Sequence, residues 1–483
     1  CGRKGAIVWM SVLTREPARP AGLRDRPDAW LLAVGTVCFG AFMGQLDASI
    51  VTLTYGPLGA EFDSSLAGVQ WVSLAYLLTL ASLLIPVGRL ADVYGRKLLY
   101  LYGFVVFTVA SLACALAPNL GWLIAFRVVQ GVGAALLQAN SVALITTSAP
   151  PNRRRAGLGI QAAAQALGLA LGPTIGGLLV STLDWRWVFG INVPIGVLGV
   201  VAGVFLLPRT HERSSATRWD MTGLTLMVTA TTTGLLGLST LSGLALPDWA
   251  PACLFAVAAG AVIGILARRG RSTAPLVDPL LLRSRTVRAG LVGALGGYLI
   301  LFGPLVLIPV ALTSAGVSEL RAGLVLTALP AGFALAATTG ERLLPATWSD
   351  RQRCLLGALL IVAATGLLAA VPFTEEWLAP LLGVLGIALG IFTPANNSVV
   401  MGFVPTRTAG TGGGLVNMAR SLGTALGVAF VTLALHARPA DGTFSGPRTA
   451  LLTLTAVALV LLVSARLIPV RTPDRDRGRS QSR

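Results

Sequence analysis

Charge is scarce in this chain, and negative charge scarcest: of 483 residues 12% are charged, with 20 Asp and Glu against 37 Lys and Arg. With 54% hydrophobic residues and a mean hydropathy of +0.76, that excludes a set of water-soluble domains and leaves a polytopic membrane protein. Histidine is nearly missing. His211 and His436 both fall between apolar runs, so no imidazole relay is available within a bilayer. Lysine is as rare: neither Lys4 nor Lys97 closes a GxxxxGK(S/T) phosphate loop, which argues against ATP drive of that kind. Of the five cysteines, Cys38, Cys114 and Cys253 fall inside apolar runs and Cys354 at the end of one, so no disulfide framework is implied. No cofactor, metal site or enzymatic activity is expected.

What the chain has instead is apolar runs. A bilayer core needs about 20 apolar residues per helix, and fourteen runs qualify, at about 30–54, 69–87, 98–117, 120–146, 157–181, 187–207, 222–244, 249–267, 289–311, 321–339, 355–372, 377–399, 410–435 and 449–468. The first follows a basic tail of about thirty residues and contains Asp47, so it reads as a span and not as a cleavable leader. If both termini are cytoplasmic, only Arg186, Arg321, Arg438 and Arg448 lie outside, and only Arg127 and Arg420 within helices. Every other basic residue then falls inside, as the positive-inside rule requires of an even number of spans. The outer loops carry Glu61, Asp63, Asp184, Asp248, Glu319, Glu375, Glu376 and Asp441. Basic residues scattered over short loops form no common surface, which argues against nucleic-acid binding despite the net charge of +17.

The most informative charged stretch is GRLADVYGRK, Gly88 to Lys97, between the second and third runs. Arg89, Asp92, Arg96 and Lys97 cannot enter hydrocarbon, so it reads as a short cytoplasmic turn, with Gly88 and Gly95 permitting close contact and Asp92 near the start of the third helix, where the helix dipole favours a carboxylate. The stretch resembles the GxLaDrxGrK loop signature of the major facilitator superfamily. Asp47, the one carboxylate well inside a run, lies in LDASIVTLTYGP, similar to the LDxTIVNVALP signature of the fourteen-helix drug:proton antiporters, with TLTYGP departing from NVALP. Burial and a nearby cation push such a carboxyl in opposite directions, so a conformational change can load and release a proton. Arg127, in LIAFRVVQGVGAA, fits the family pattern on the fourth helix, and its charge would favour deprotonation of a carboxylate within reach. Gly159, Gly168, Gly172, Pro173, Gly176 and Gly177 complete the G(x8)G(x3)GP(x2)GG pattern of the fifth helix, which within the superfamily resembles the signature of exporters. The resemblance implies that the Gly88 loop forms a cytoplasmic latch between two halves.

An internal likeness supports two halves. Asn140–Gly172 and Asn397–Gly427 run alike from one helix through a Pro and Arg turn into a glycine-spaced helix, and 340–353 falls where a degraded copy of the Gly88 loop belongs. The fold expected is all-α: a major facilitator fold of two six-helix bundles, 30–208 and 287–468, with two extra central helices and loops in 209–286 and cytoplasmic tails at 1–29 and 469–483. The implied function is proton-coupled export of drug-like or natural-product molecules by alternating access, in the cell membrane and as a monomer. An importer on the same fold and a non-transporting membrane sensor are the alternatives. The partners expected are a small-molecule substrate, protons and the lipid bilayer. Candidates to line the substrate cavity are Gln45, Trp71, Tyr76, Gln138, Gln161, Gln165, Tyr298, Asn396, Asn397 and Asn417, each readable equally as helix packing. Arg420 reads as a cavity or anion-binding group, or as a packing residue near the cytoplasmic end of its helix.

Overall fold

A computed structural model describes residues 16–469 apart from 25, 27, 65, 211–219, 242–245, 248, 269–280, 282, 318 and 437–445; most of both tails and of the two basic loops flanking the seventh and eighth helices lies outside the described residues. Among the described residues fourteen helices are long and apolar enough to cross a membrane. They are α1 (Ala29–Ile50), α2 (Leu66–Tyr94), α3 (Arg96–Ala115), α4 (Leu120–Ser148), α5 (Arg154–Thr182), α6 (Asn192–Leu206, preceded by the short helix Arg186–Gly190), α7 (Met221–Leu241), α8 (Ala250–Ala267), α9 (Arg285–Ser314), α10 (Glu319–Leu343), α11 (Asp350–Ala370), α12 (Glu375–Phe403), α13 (Ala409–His436) and α14 (Gly446–Arg466). No strand occurs among the described residues.

The helix ends follow local chemistry. Asn119 starts α4 by accepting the Trp122 backbone N–H at 3.0 Å, and Ser349 and Gln352 start α11 as a reciprocal capping box. The expected turn at Gly88 is corrected. Helix α2 runs on through Asp92 to Tyr94, and Gly95 alone turns the chain, at φ 114°, before α3 begins at Arg96. That backbone conformation is open to glycine and strained for other residues. The helix can continue past the apolar run because its charged Asp92 is buried against hydrogen-bond donors of another helix and has no need of a turn exposed to water.

Packing repeats between the halves. In the first, α1 lies on α5 and α6, α2 on α4, and α3 on α4 and α6; in the second, α9 lies on α13 and α14, α10 on α12, and α11 on α12 and α14. The joints between the halves are paired as well, α2 on α13 and α5 on α10. Helices α7 and α8, central in sequence, are peripheral in space. α7 covers the joint of α2 and α13, with Leu235 packed on Leu78 and Ala81 and a hydroxyl pair, Ser82 Oγ to Thr232 Oγ1, at 2.7 Å. α8 packs on α7 and leaves most of its surface outward, the arrangement of a helix facing lipid.

Candidate functional site

Asp47 on α1 is fully buried and its carboxylate is saturated. It accepts from Arg127 Nη1 at 2.6 Å, Gln130 Nε2 at 2.9 Å and Asn192 Nδ2 at 3.0 Å. Arg127 on α4 also donates from Nε to Val72 O at 2.9 Å and from Nη1 to Gln130 Oε1 at 2.5 Å, beneath the ring of Tyr76 at 4.2 Å. Gln130 donates further to Ser111 Oγ at 2.8 Å. The two charges are thus paired with each other and hydrogen-bonded to their neighbours, while the Oδ1 of Asn192 beside them has no partner. Removing one member of such a pair costs about 3–5 kcal/mol, because the other is left as an uncompensated buried charge. Sequence reasoning brought Asp47 and Arg127 forward but missed Gln130 and Asn192. Gln130 was within reach, since i, i+3 spacing puts it on the Arg127 face of α4; Asn192, on a helix remote in sequence, gave no signal.

The Gly88 stretch joins the halves, though by another geometry than expected. Asp92 sits in the last turn of α2, not at the start of α3, where the dipole of its own helix disfavours a carboxylate. It is held instead by the N-terminus of α13, accepting from Gly410 N at 2.7 Å and from Thr411 N and Oγ1, both at 2.8 Å, and by Arg96 at 2.9 Å. The dipole that favours Asp92 belongs to the opposite half. Arg96 also donates to Thr406 O, and Arg89 lies half-buried in the field of Asp92 and Asp220. Gly88 and Gly410 meet backbone to backbone, leaving no room for a Cβ at either. Lys97 does not join the halves: it donates to Pro17 O, Val204 O and Leu207 O, capping the C-terminal carbonyls of α6 within the first half.

The twin joint carries a twin tie. Arg155 at the start of α5 pairs with Asp350 at the start of α11 at 2.6 Å, and Ser398 donates to Asp350 at 2.8 Å. Gly159 of α5 meets the Ala337 carbonyl of α10. Of the other α5 glycines, Gly168, Gly172 and Gly176 let α1 approach at Phe42, Ser49 and Ile50, whereas Gly177 faces open space. Pro173 lies within α5, and its side chain is outside the described ones.

Above these ties, away from the Asp92 end, lies a cavity of about 450 Å³ between the halves. Its wall is mostly apolar, with Phe302 and several leucines, and α7 contributes Leu235, Leu238 and Ser239. Of the expected lining residues Gln45 and Gln138 are there. Trp71 is not: it packs toward α7 while its neighbour Gln70 lines the cavity with Ser73 and Tyr55. Tyr76 belongs to the Arg127 cluster, Gln161 donates to Ser141 Oγ at 2.8 Å, and Asn396 donates to Gly290 O at 2.8 Å, so these three serve packing. Both side-chain polar atoms of Asn397 are buried without a partner. Gln165, Tyr298, Asn417 and Arg420 form a layer beneath the cavity, joined by Tyr298 Oη to Gln165 Oε1 at 3.1 Å, Asn417 Nδ2 to Gln138 O at 2.7 Å and Arg420 Nη1 to Asn417 Oδ1 at 3.1 Å. Arg420 is not at the helix end expected but in the fourth turn of α13. The lining polar residues missed, Tyr55, Gln70, Ser73, Ser239, Ser421 and Thr424, are of types common in membrane helices, and their facing depends on which helix lies opposite. Among the described residues no cluster suits a metal ion.

Comparison with known proteins places this architecture. The family profile described as Major Facilitator Superfamily matches residues 37–428. The chain is similar to the riboflavin transporter RibZ of Clostridioides difficile, 29% identical over 412 residues that cover 83% of this chain and 87% of that protein. It is equally similar to the tetracenomycin C resistance and export protein of Streptomyces glaucescens, 29% identical over 428 residues covering 87% and 78%. Among solved structures the human organic anion transporter MFSD10 (TETRAN) superposes with a TM-score of 0.65 over 91% of this chain and all of that one, at 16% identity, a likeness of fold alone.

Proposed function

The chain belongs to the major facilitator superfamily, and from that premise we propose that it exports amphipathic drug-like or natural-product molecules in exchange for protons, by alternating access. The observation that carries this reading is the mostly apolar cavity between the halves, tied shut beneath by Asp92 and Asp350. In the proposed orientation the tied end is cytoplasmic, with both termini on that side of the cell membrane, and the cavity belongs to an outward-facing state.

Coupling rests on α1. One face presents Gly44, Gln45 and Ala48 to the cavity, and the other presents Asp47 to Arg127. Protonation of Asp47 removes the counter-charge of Arg127, and the cost of that unpaired cation can be relieved by a shift of α1 against α4 and α6. Because the same helix lines the cavity, the shift alters substrate contacts. Each proton entering along the potential supplies about 2.3 kcal/mol per 100 mV.

The test is loss of a lipophilic cationic dye from loaded, efflux-deficient bacteria expressing the protein. Efflux is expected to stop with an uncoupler and with Asp47→Asn; efflux that persists in Asp47→Asn would remove the coupling role of that carboxylate. A second reading, a metabolite transporter of inward direction, is favoured by the likeness to a protein named as a riboflavin transporter. It predicts accumulation of the vitamin by the same cells, with no dye efflux.

A further inference from the structure

The deeply buried basic side chains of this protein differ in what answers their charge. Arg127 has Asp47, Arg96 has Asp92, Lys97 has three backbone carbonyls, and Arg353 donates to Gly340 O and Pro345 O. Arg420, 4% exposed, has one amide oxygen, that of Asn417, and the face of Tyr298 at 5.1 Å. Its Nε has no partner at all, and among the described residues no carboxylate lies within ion-pair distance of it. A buried guanidinium with neither counter-ion nor full hydrogen bonding is destabilising, so a fold that keeps one keeps it for something other than stability.

Its place says what. Arg420 is four residues before Thr424, Asn417 four before Ser421, Tyr298 four before Phe302 and Gln165 four before Leu169, and each of those later residues lines the cavity. On helices of like direction, four residues are about one turn, or about 6 Å. The four polar residues are therefore one layer, about one turn below residues that line the cavity, and Arg420 is the only charge in it. The wall above adds no charged side chain: it is leucine, alanine, valine, glycine, aromatic, Gln, Ser and Thr.

We propose that Arg420 is a recognition site for one acidic group, a carboxylate or acidic phenol, on an otherwise apolar substrate seated in this cavity. The proposal rests on the export reading and narrows its substrate class. The anion completes the hydrogen bonding of the guanidinium by a charge-assisted contact, while the apolar body lies against Phe302 and the leucines. Asn417 and Tyr298 aim the guanidinium.

Two probes that share a body and differ in charge test it: 1-pyrenebutyrate and its N-methylamide. Binding is measured on the full chain in lipid nanodiscs, with empty nanodiscs as blank. The wild type is expected to bind the carboxylate about tenfold tighter than the amide. In Arg420→Gln that preference should fall to about one, and Arg420→Lys should keep part of it; the lysine variant also serves if the glutamine variant does not fold. Failure of the wild type to bind the carboxylate, equal binding of the two probes, or a preference that survives Arg420→Gln overturns the proposal. Uncoupler-sensitive efflux of either pyrene probe from loaded, efflux-deficient cells expressing the wild type is measured separately. Its absence would sink the export reading, whereas its presence with no carboxylate preference would sink this inference alone.

Discussion

At the scale of the residue, buried charges are for the most part answered by partners within the fold. The pair of Asp47 and Arg127 is the deepest, and its worth lies in mutual compensation more than in net stabilisation. A double-mutant cycle shows this. Arg127→Gln should lower the thermal transition of the purified protein more than the double substitution Asp47→Asn/Arg127→Gln, because the single change strands a carboxylate and the double change leaves neutral amides that can hydrogen-bond one another. A double variant less stable than either single would mean that the pair holds α1 to α4 by its own strength. Asp47 was legible in the sequence because a lone carboxylate in an apolar run is costly by itself. Asn192 was not, because a neutral amide becomes informative only when the helix opposite is known.

At the scale of the element, helix ends were the part of the fold least visible in advance. Hydropathy marks where the apolar zone stops, but α2 continues as a helix for two turns beyond it, carrying Asp92 to the start of α13. The same blindness misplaced Trp71: one step of 100° along α2 separates a cavity-facing Gln70 from a residue packed on α7. Close contact of α2 and α13 at Gly88 and Gly410 makes a prediction of its own. Gly88→Val should wedge the two helices apart. A cysteine placed at Val416, fully buried here and introduced after the native cysteines are replaced, should then react faster with a membrane-impermeant thiol reagent in inside-out vesicles than in the Gly88 parent. Unchanged protection would mean that the joint is not held by that contact. The hydroxyl pair of Ser82 and Thr232 invites a milder test. Ser82→Ala alone, which leaves the other hydroxyl unpaired, should destabilise the protein more than Ser82→Ala with Thr232→Val, by about 1 kcal/mol.

At the scale of the whole molecule, the two joints between the halves are near equivalents, each with a carboxylate at the loop end and a backbone contact at a glycine. Either tie alone can hold that end shut if both contribute similarly. Asp92→Asn and Asp350→Asn should therefore each raise the reactivity of the Val416 probe modestly, and together by roughly the product of the single factors, as independent distant sites do. A double variant no more reactive than Asp92→Asn would show that Asp350 carries none of the closure. The repeat was legible in the sequence from Asn140 and Asn397 onward, because small residues recur at helical spacing in both halves. The mate of Asp350 was not, since Arg155 is one of three adjacent arginines and only the fold selects among them. The hairpin of α7 and α8 is what spoils the equivalence. Lying over the α2 and α13 joint, it shutters that flank toward the lipid, while the flank of α5 and α10 has no such cover from this hairpin. A molecule dissolved in the bilayer therefore meets two unlike flanks: at α2 and α13 it must first get past this hairpin, whereas at α5 and α10 it meets the joint itself.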